Sequence, residues 1–201
     1  DALIPEFLVR KDPKSENYAV SITNSFVSDS SKRVEIILFG SDNKEAKRAF
    51  YSSPVEKFKY LQFVDMAVIG TDKVAVLIYG YNLRDNKEKE GDLILADLVK
   101  ESASVAFNEL YYSNDMVIER GIIRYDPQIK KILLLAYAKL QSKTDQMITN
   151  LSFIDPFTRK LLTNATVPGE KIQKKYTEIS GSKRSYEGVP QNLFINNNNT
   201  N

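Results

Sequence analysis

The chain has 201 residues, of which 42% are hydrophobic and 27% charged, and its 28 basic and 26 acidic side chains leave a net charge of +2. That composition is ordinary for a globular domain with a sizeable core, and the mixing of signs gives no basic field that would draw nucleic acid. The chain has no Cys, His or Trp, which excludes disulfides, thiolate nucleophiles, Cys- or His-based metal sites and a Ser-His-Asp triad within it.

In chain order the first apolar segment is Phe7-Leu8-Val9, closed by Asp12-Pro13. A second runs from Ala19 to Ser25 and meets turn residues at Asp29 to Ser31. A third, Glu35 to Phe39, ends at Gly40-Ser41-Asp42, and Lys44 to Phe50 follows as two helical turns or a strand. The order then restarts with Tyr60 to Ile69, Ala75 to Tyr81, the turn residues Asp85-Asn86, and Asp92 to Ala96. Asp97-Leu98 stands next as a weaker turn, and the stretch from Asp97 to Leu110 has helical spacing at Leu98, Ala103, Val105, Ala106 and Leu110. It restarts again with Met116 to Tyr125, Asp126-Pro127, Leu133 to Lys139, Asn150 to Ile154, Asp155-Pro156 and Leu161 to Val167. The longest apolar run, Ile132 to Ala138, has strand length and falls far short of the ~20 residues that span a bilayer. The chain starts at Asp1 with no charged and apolar leader before it, so its N-terminus reads as processed or trimmed.

These restarts form a repeat. Ala19 to Ser25 aligns with Ala75 to Tyr81 and Leu133 to Lys139, and Glu35 to Phe39 aligns with Asp92 to Ala96 and Asn150 to Ile154. The unit is about 57 residues with four strand-length segments separated by Asp- and Asn-led turns. The repeat decides the ambiguous segments in favour of strand, because the counterpart Asp155 to Val167 carries Pro156, Thr158, Thr163 and Thr166 and is a poor helix former. Four short strands joined by turns predict a small antiparallel sheet, and copies in series bury its two faces by stacking. The expected organisation is a single β-repeat module over residues 1–201, with repeats at about 5–54, 58–112, 115–167 and 190–201. Residues 168–189 form a polar connection with Lys171, Lys174, Lys175, Lys183 and Arg184, read as a docking loop or lid, or as a flexible link between repeats. Asn192 to Asn196 begins a fourth copy, and the Asn-rich tail after it is low in complexity.

Four strands per unit, with an Asp-led turn between the third and fourth, resemble the β-propeller. The closest detail is Leu151 to Leu161, a hydrophobic strand ending in Asp155 with Thr158-Arg159-Lys160 leading out; Ile37 to Lys44 and Ile94 to Lys100 are degenerate versions. The resemblance covers roughly Pro5 to Asn196 and implies an all-β fold, a propeller-like array of four-stranded antiparallel sheets. Three copies and a beginning are fewer than the usual four to eight blades, so the array is incomplete in this chain, with further blades from a longer chain or a second subunit, or a four-bladed form closed by its own N-terminal strand. A β-sandwich or open meander of the same strands is the alternative, and an α/β fold the remaining one.

The resemblance also implies that polar residues of the first strands line a central channel, which nominates Gln62, Asp65, Glu119, Arg120 and Arg124 as binding residues. Tyr111 and Tyr112, in a connection, are candidates to present aromatic rings to a sugar or peptide. Phosphate-binding glycine loops are absent, and the run Asp85 to Asp92 lacks calcium-loop spacing and contains Lys87 and Lys89, so it reads as a charged hairpin loop. Three glycosylation-type triplets, at Asn150, Asn164 and Asn198, carry no weight in so Asn-rich a chain.

The functional expectation is a non-catalytic binding or scaffold module that engages a protein or glycan through one face. It needs no cofactor, metal, nucleic acid or membrane span, and the missing Cys and missing initial Met lean towards a periplasmic or secreted location. The alternative is a propeller-type hydrolase using channel carboxylates, since paired Asp or Glu can cleave glycosides without His.

Overall fold

The computed structural model describes residues 4–24, 27, 29–51, 57–82, 92–100, 106–110, 116–140, 147–181 and 184. Twelve strands and one α-helix are present among them. The strands are β1 (Glu6–Lys11), β2 (Tyr18–Thr23), β3 (Val34–Phe39), β4 (Glu45–Phe50), β5 (Tyr60–Ile69), β6 (Lys73–Tyr81), β7 (Asp92–Val99), β8 (Ala106–Leu110), β9 (Met116–Asp126), β10 (Lys131–Leu140), β11 (Met147–Ile154) and β12 (Leu161–Pro168). They form three four-stranded antiparallel sheets, β1-β2-β3-β4, β5-β6-β7-β8 and β9-β10-β11-β12, each in simple sequence order. The fold is therefore mainly β. Both segments of ambiguous periodicity are strands where described, as β4 and as β8.

Turn chemistry explains where the strands stop. A short acidic side chain that accepts backbone N–H groups two or three residues on folds the chain back locally. Asp12 accepts from Lys14 N–H, Asp29 from Ser31, Asp42 from Lys44, Asp126 from Gln128 and Ile129, and Asp155 from Phe157 and Thr158. Asp97 departs from this pattern. It lies within β7 opposite Ala75, so the expected turn at Asp97-Leu98 is corrected to continuous strand.

The sheets stack in chain order. The first strands lie side by side, β5 against both β1 and β9. One core packs Ala19, Val34, Ile36 and Leu38 of the first sheet on Met66, Val68, Val74, Val76, Ile78, Ile94, Ala96 and Leu98 of the second. A second core packs the other face of the middle sheet, Ala67, Ala75, Leu77, Tyr79, Leu93, Leu95 and Leu110, on Ile123, Ile132, Leu134 and Ile154 of the third. Consecutive buried residues in β6 and β7 follow directly: a strand covered on both faces needs no polar alternation. Gly121 lies where two sheets approach closely, since a Cβ there would come within 2.8 Å of Leu77 and 3.3 Å of Val64.

Part of the connection at 168–189, read as a docking loop or lid or as a flexible link, is helical. Helix α1 (Gly169–Ser180) starts after Pro168, carries Glu170 in its first turn, and stops at Gly181 (φ 66°), whose N–H donates to Thr177 O at 2.9 Å. Proline at one end and a left-handed glycine at the other are the standard limits of such a helix, and the Lys, Glu and Gln residues between them favour it. None of its residues is buried. The proposed fourth copy at 192–196, the Asn-rich tail, the turn residues Asp85-Asn86 and most of the acidic run after them lie outside the described residues.

Candidate functional site

The first strands form the free edges of their sheets, where backbone N–H groups lack a ladder partner. Asp65 answers part of that need. A register shift between Phe63 and Asp65 turns both Val64 and Asp65 towards the third sheet. The Asp65 carboxylate then accepts the Ile123 N–H of β9 at 3.1 Å and Arg124 Nη1 at 2.6 Å on Oδ2. On Oδ1 it accepts Arg10 Nε of β1 at 3.2 Å, with Arg10 Nη2 at 3.0 Å. Arg124 Nη1 also donates to Ile123 O at 2.5 Å. The Asp65 side chain is 4% exposed, Arg124 18% and Arg10 29%. One buried carboxylate thus ties β1, β5 and β9 together through charge-assisted bonds.

Of the candidate residues, Asp65 and Arg124 meet here. Gln62, opposite Tyr79 in β5, and Arg120, opposite Tyr137 in β9, are exposed and displaced along their strands from the cluster. Glu119 falls in β9, and its side chain is outside what is described; Tyr111 and Tyr112 lie outside the described residues altogether. Arg10 was missed. The signal available was its place directly after Phe7-Leu8-Val9, a polar residue in a first-strand segment.

A second tie joins the first two sheets at a rim. Asp12, buried, accepts Gly70 N–H at 2.9 Å, and Asn17 Nδ2 donates to Gly70 O at 3.4 Å. Gly70 has φ 63°, the left-handed conformation that this turn requires and glycine adopts without cost.

A third cluster joins the second and third sheets. Lys73 Nζ sits 2.7 Å from Asp97 Oδ2 and also donates to the Pro156 carbonyl. Asp97 is buried, and among the described residues its Oδ1 has no hydrogen-bond partner. Burial pushes the Asp97 carboxyl above its ordinary value, against the pull of Lys73 and Arg159. Asp155, in the β11–β12 turn, has the opposite environment: Lys131 Nζ at 2.8 Å, with the N–H groups of Thr158 and Phe157, holds it well below the usual carboxylate range.

Asn150 is buried within β11, its amide donating to Thr166 Oγ1 at 3.1 Å and its Oδ1 accepting from Ser152 Oγ at 2.8 Å, so the triplet there is closed to modification in the folded chain. Among the described residues no helix is long and apolar enough to cross a membrane, and no group of three or more acidic side chains gathers as metal ligands. No family model matches this chain, and no curated protein matches it.

Proposed function

We propose that the chain is a non-catalytic binding or scaffold module, a propeller-like array of sheets that engages a protein or glycan ligand through the surface where the first strands converge. The observation that carries this reading is the use made of Asp65. A general acid or nucleophile needs an oxygen free to meet substrate. Asp65 has both oxygens engaged by two arginines and a backbone N–H. It acts as a brace that fixes three adjacent strands, and a fixed platform suits recognition.

Gln62 and Arg120, exposed on those strands, are the contact residues of this proposal. Binding of the labelled chain to immobilised glycan and peptide arrays tests it. Gln62→Ala and Arg120→Ala should each weaken a positive signal about tenfold, roughly 1.4 kcal/mol. Undiminished binding by both variants would refute these contact residues, and turnover of aryl glycosides that Asp65→Asn abolishes would overturn the non-catalytic reading in favour of the hydrolase alternative.

A further inference from the structure

The two ends of the stack present faces whose composition belongs to an interior. On the outward face of the first sheet, Phe7 is 62% and Val9 56% exposed, and Phe50 is also exposed. Register places Ile22, Val20, Ile37 and Phe39 on that same face. On the outward face of the third sheet, Leu133, Leu135, Tyr137, Leu151 and Phe153 form a second apolar field, all only half-buried. Apolar areas of this kind on a folded chain mark a contact surface.

What covers them follows from the two junctions already formed. The aligned positions point the same way in every sheet. Ala19 and Ala75, with Leu38 and Leu95, face the next sheet in order and are buried against it. Their third counterparts, Leu133 and Phe153, face outward from the end of the stack. Conversely Val76 and Ile94, with Leu134, Ser152 and Ile154, are buried against the preceding sheet, whereas their first-sheet counterparts Val20, Ile37 and Phe39 lie on the outward face, Val20 and Phe39 half-buried and Ile37 buried there without a further sheet over it among the described residues. The face missing from the third sheet is thus of the type that the first sheet leaves open.

We propose that two copies of this chain associate head to tail, the third sheet of each stacking on the first sheet of the other, to close six sheets into one ring. This rests on the propeller-like reading above. A heterologous contact between such faces either closes or runs on as a fibre, and six sheets fall within the usual range for closure.

Light scattering on the purified chain at micromolar concentration should give twice 22.9 kDa. Val9→Glu, on the first face, and Leu135→Glu, on the third, should each halve that mass while circular dichroism stays β-rich. An equimolar mixture of the two variants should return to the two-copy mass, because one intact junction remains. A wild-type mass of 22.9 kDa overturns the proposal, as does a Leu135→Glu variant that still pairs, which would mean first face on first face. Should a variant fail to fold, the wild-type mass alone decides. Hydrogen exchange on the same samples separates the two readings. A single copy whose β6 and β7 amides stay protected removes only the pairing of copies, whereas unprotected β6 and β7 remove the stacked sheets themselves.

Discussion

The middle and third sheets are made from strands of similar apolarity and end in different states. In β6 every residue from Val74 to Gly80 is buried. In β10, just as apolar from Ile132 to Ala138, burial alternates, so that Leu134 is inaccessible and Leu133 and Leu135 are half-open. Leu77 and Leu135 occupy aligned positions and differ only in whether a sheet lies on top. Apolarity along a strand therefore states how many of its faces are suited to burial, and the neighbours decide how many are buried.

The largest effect expected from this contrast is at Leu77 itself. Leu77→Ala, between two sheets, should cost about 2–5 kcal/mol in urea unfolding. Leu135→Ala should cost less than half as much in the single copy and approach the Leu77 value where copies pair. Equal losses in dilute solution would break the contrast. Next is the brace at the middle sheet's edge. Asp65→Ala should cost about 2–4 kcal/mol, below the top of the range for a broken buried pair because both arginines can turn towards water. A loss under about 0.5 kcal/mol would mean the triad contributes no more than a surface pair. Gly121→Val, which thrusts methyl groups at Leu77 and Val64, should cost about 1–3 kcal/mol by overpacking the covered face of the third sheet. Thermal melts that match wild type would show that the sheets can separate there.

The smallest effects concern pH. Asp155 is held below its unfolded value by Lys131 and two N–H groups, so its contribution is present above the ordinary carboxylate value of about 3.9 and fades as pH falls below it. Asp97 is raised by burial. Its contribution is complete below the unfolded value and is lost as pH rises through the folded one. Urea midpoints between about pH 2.5 and 7 should therefore show a shallower acid loss in Asp155→Asn, and a relative gain towards neutral pH in Asp97→Asn. Profiles parallel to wild type would contradict both assignments.

Much of the fold is legible in the residues. The turns at Asp12, Asp42, Asp126 and Asp155 are local, since a side chain meets its own backbone two residues on. Asp97 misled because the same residue type is used in β7 to meet Lys73 across the sheet, a contact no local pattern reveals. Residues 169–180 carry helix signals in Pro168 and Gly181, but they lie outside the 57-residue repeat of strands, which says nothing of them. In the candidate site, Asp65 and Arg124 could be nominated from their first-strand positions. Their meeting could not, because it depends on the bulge at Val64 and on how β9 lies along β5.

By itself the sequence determined the excluded chemistries and the turns led by Asp12, Asp42, Asp126 and Asp155, because each is a property of a residue or of its immediate neighbours. Tertiary structure alone decided which face of each sheet is covered, that Arg10 joins Asp65, and that both oxygens of that carboxylate are engaged. These contacts join residues more than fifty positions apart, where the chain's local preferences carry no information about what lies opposite.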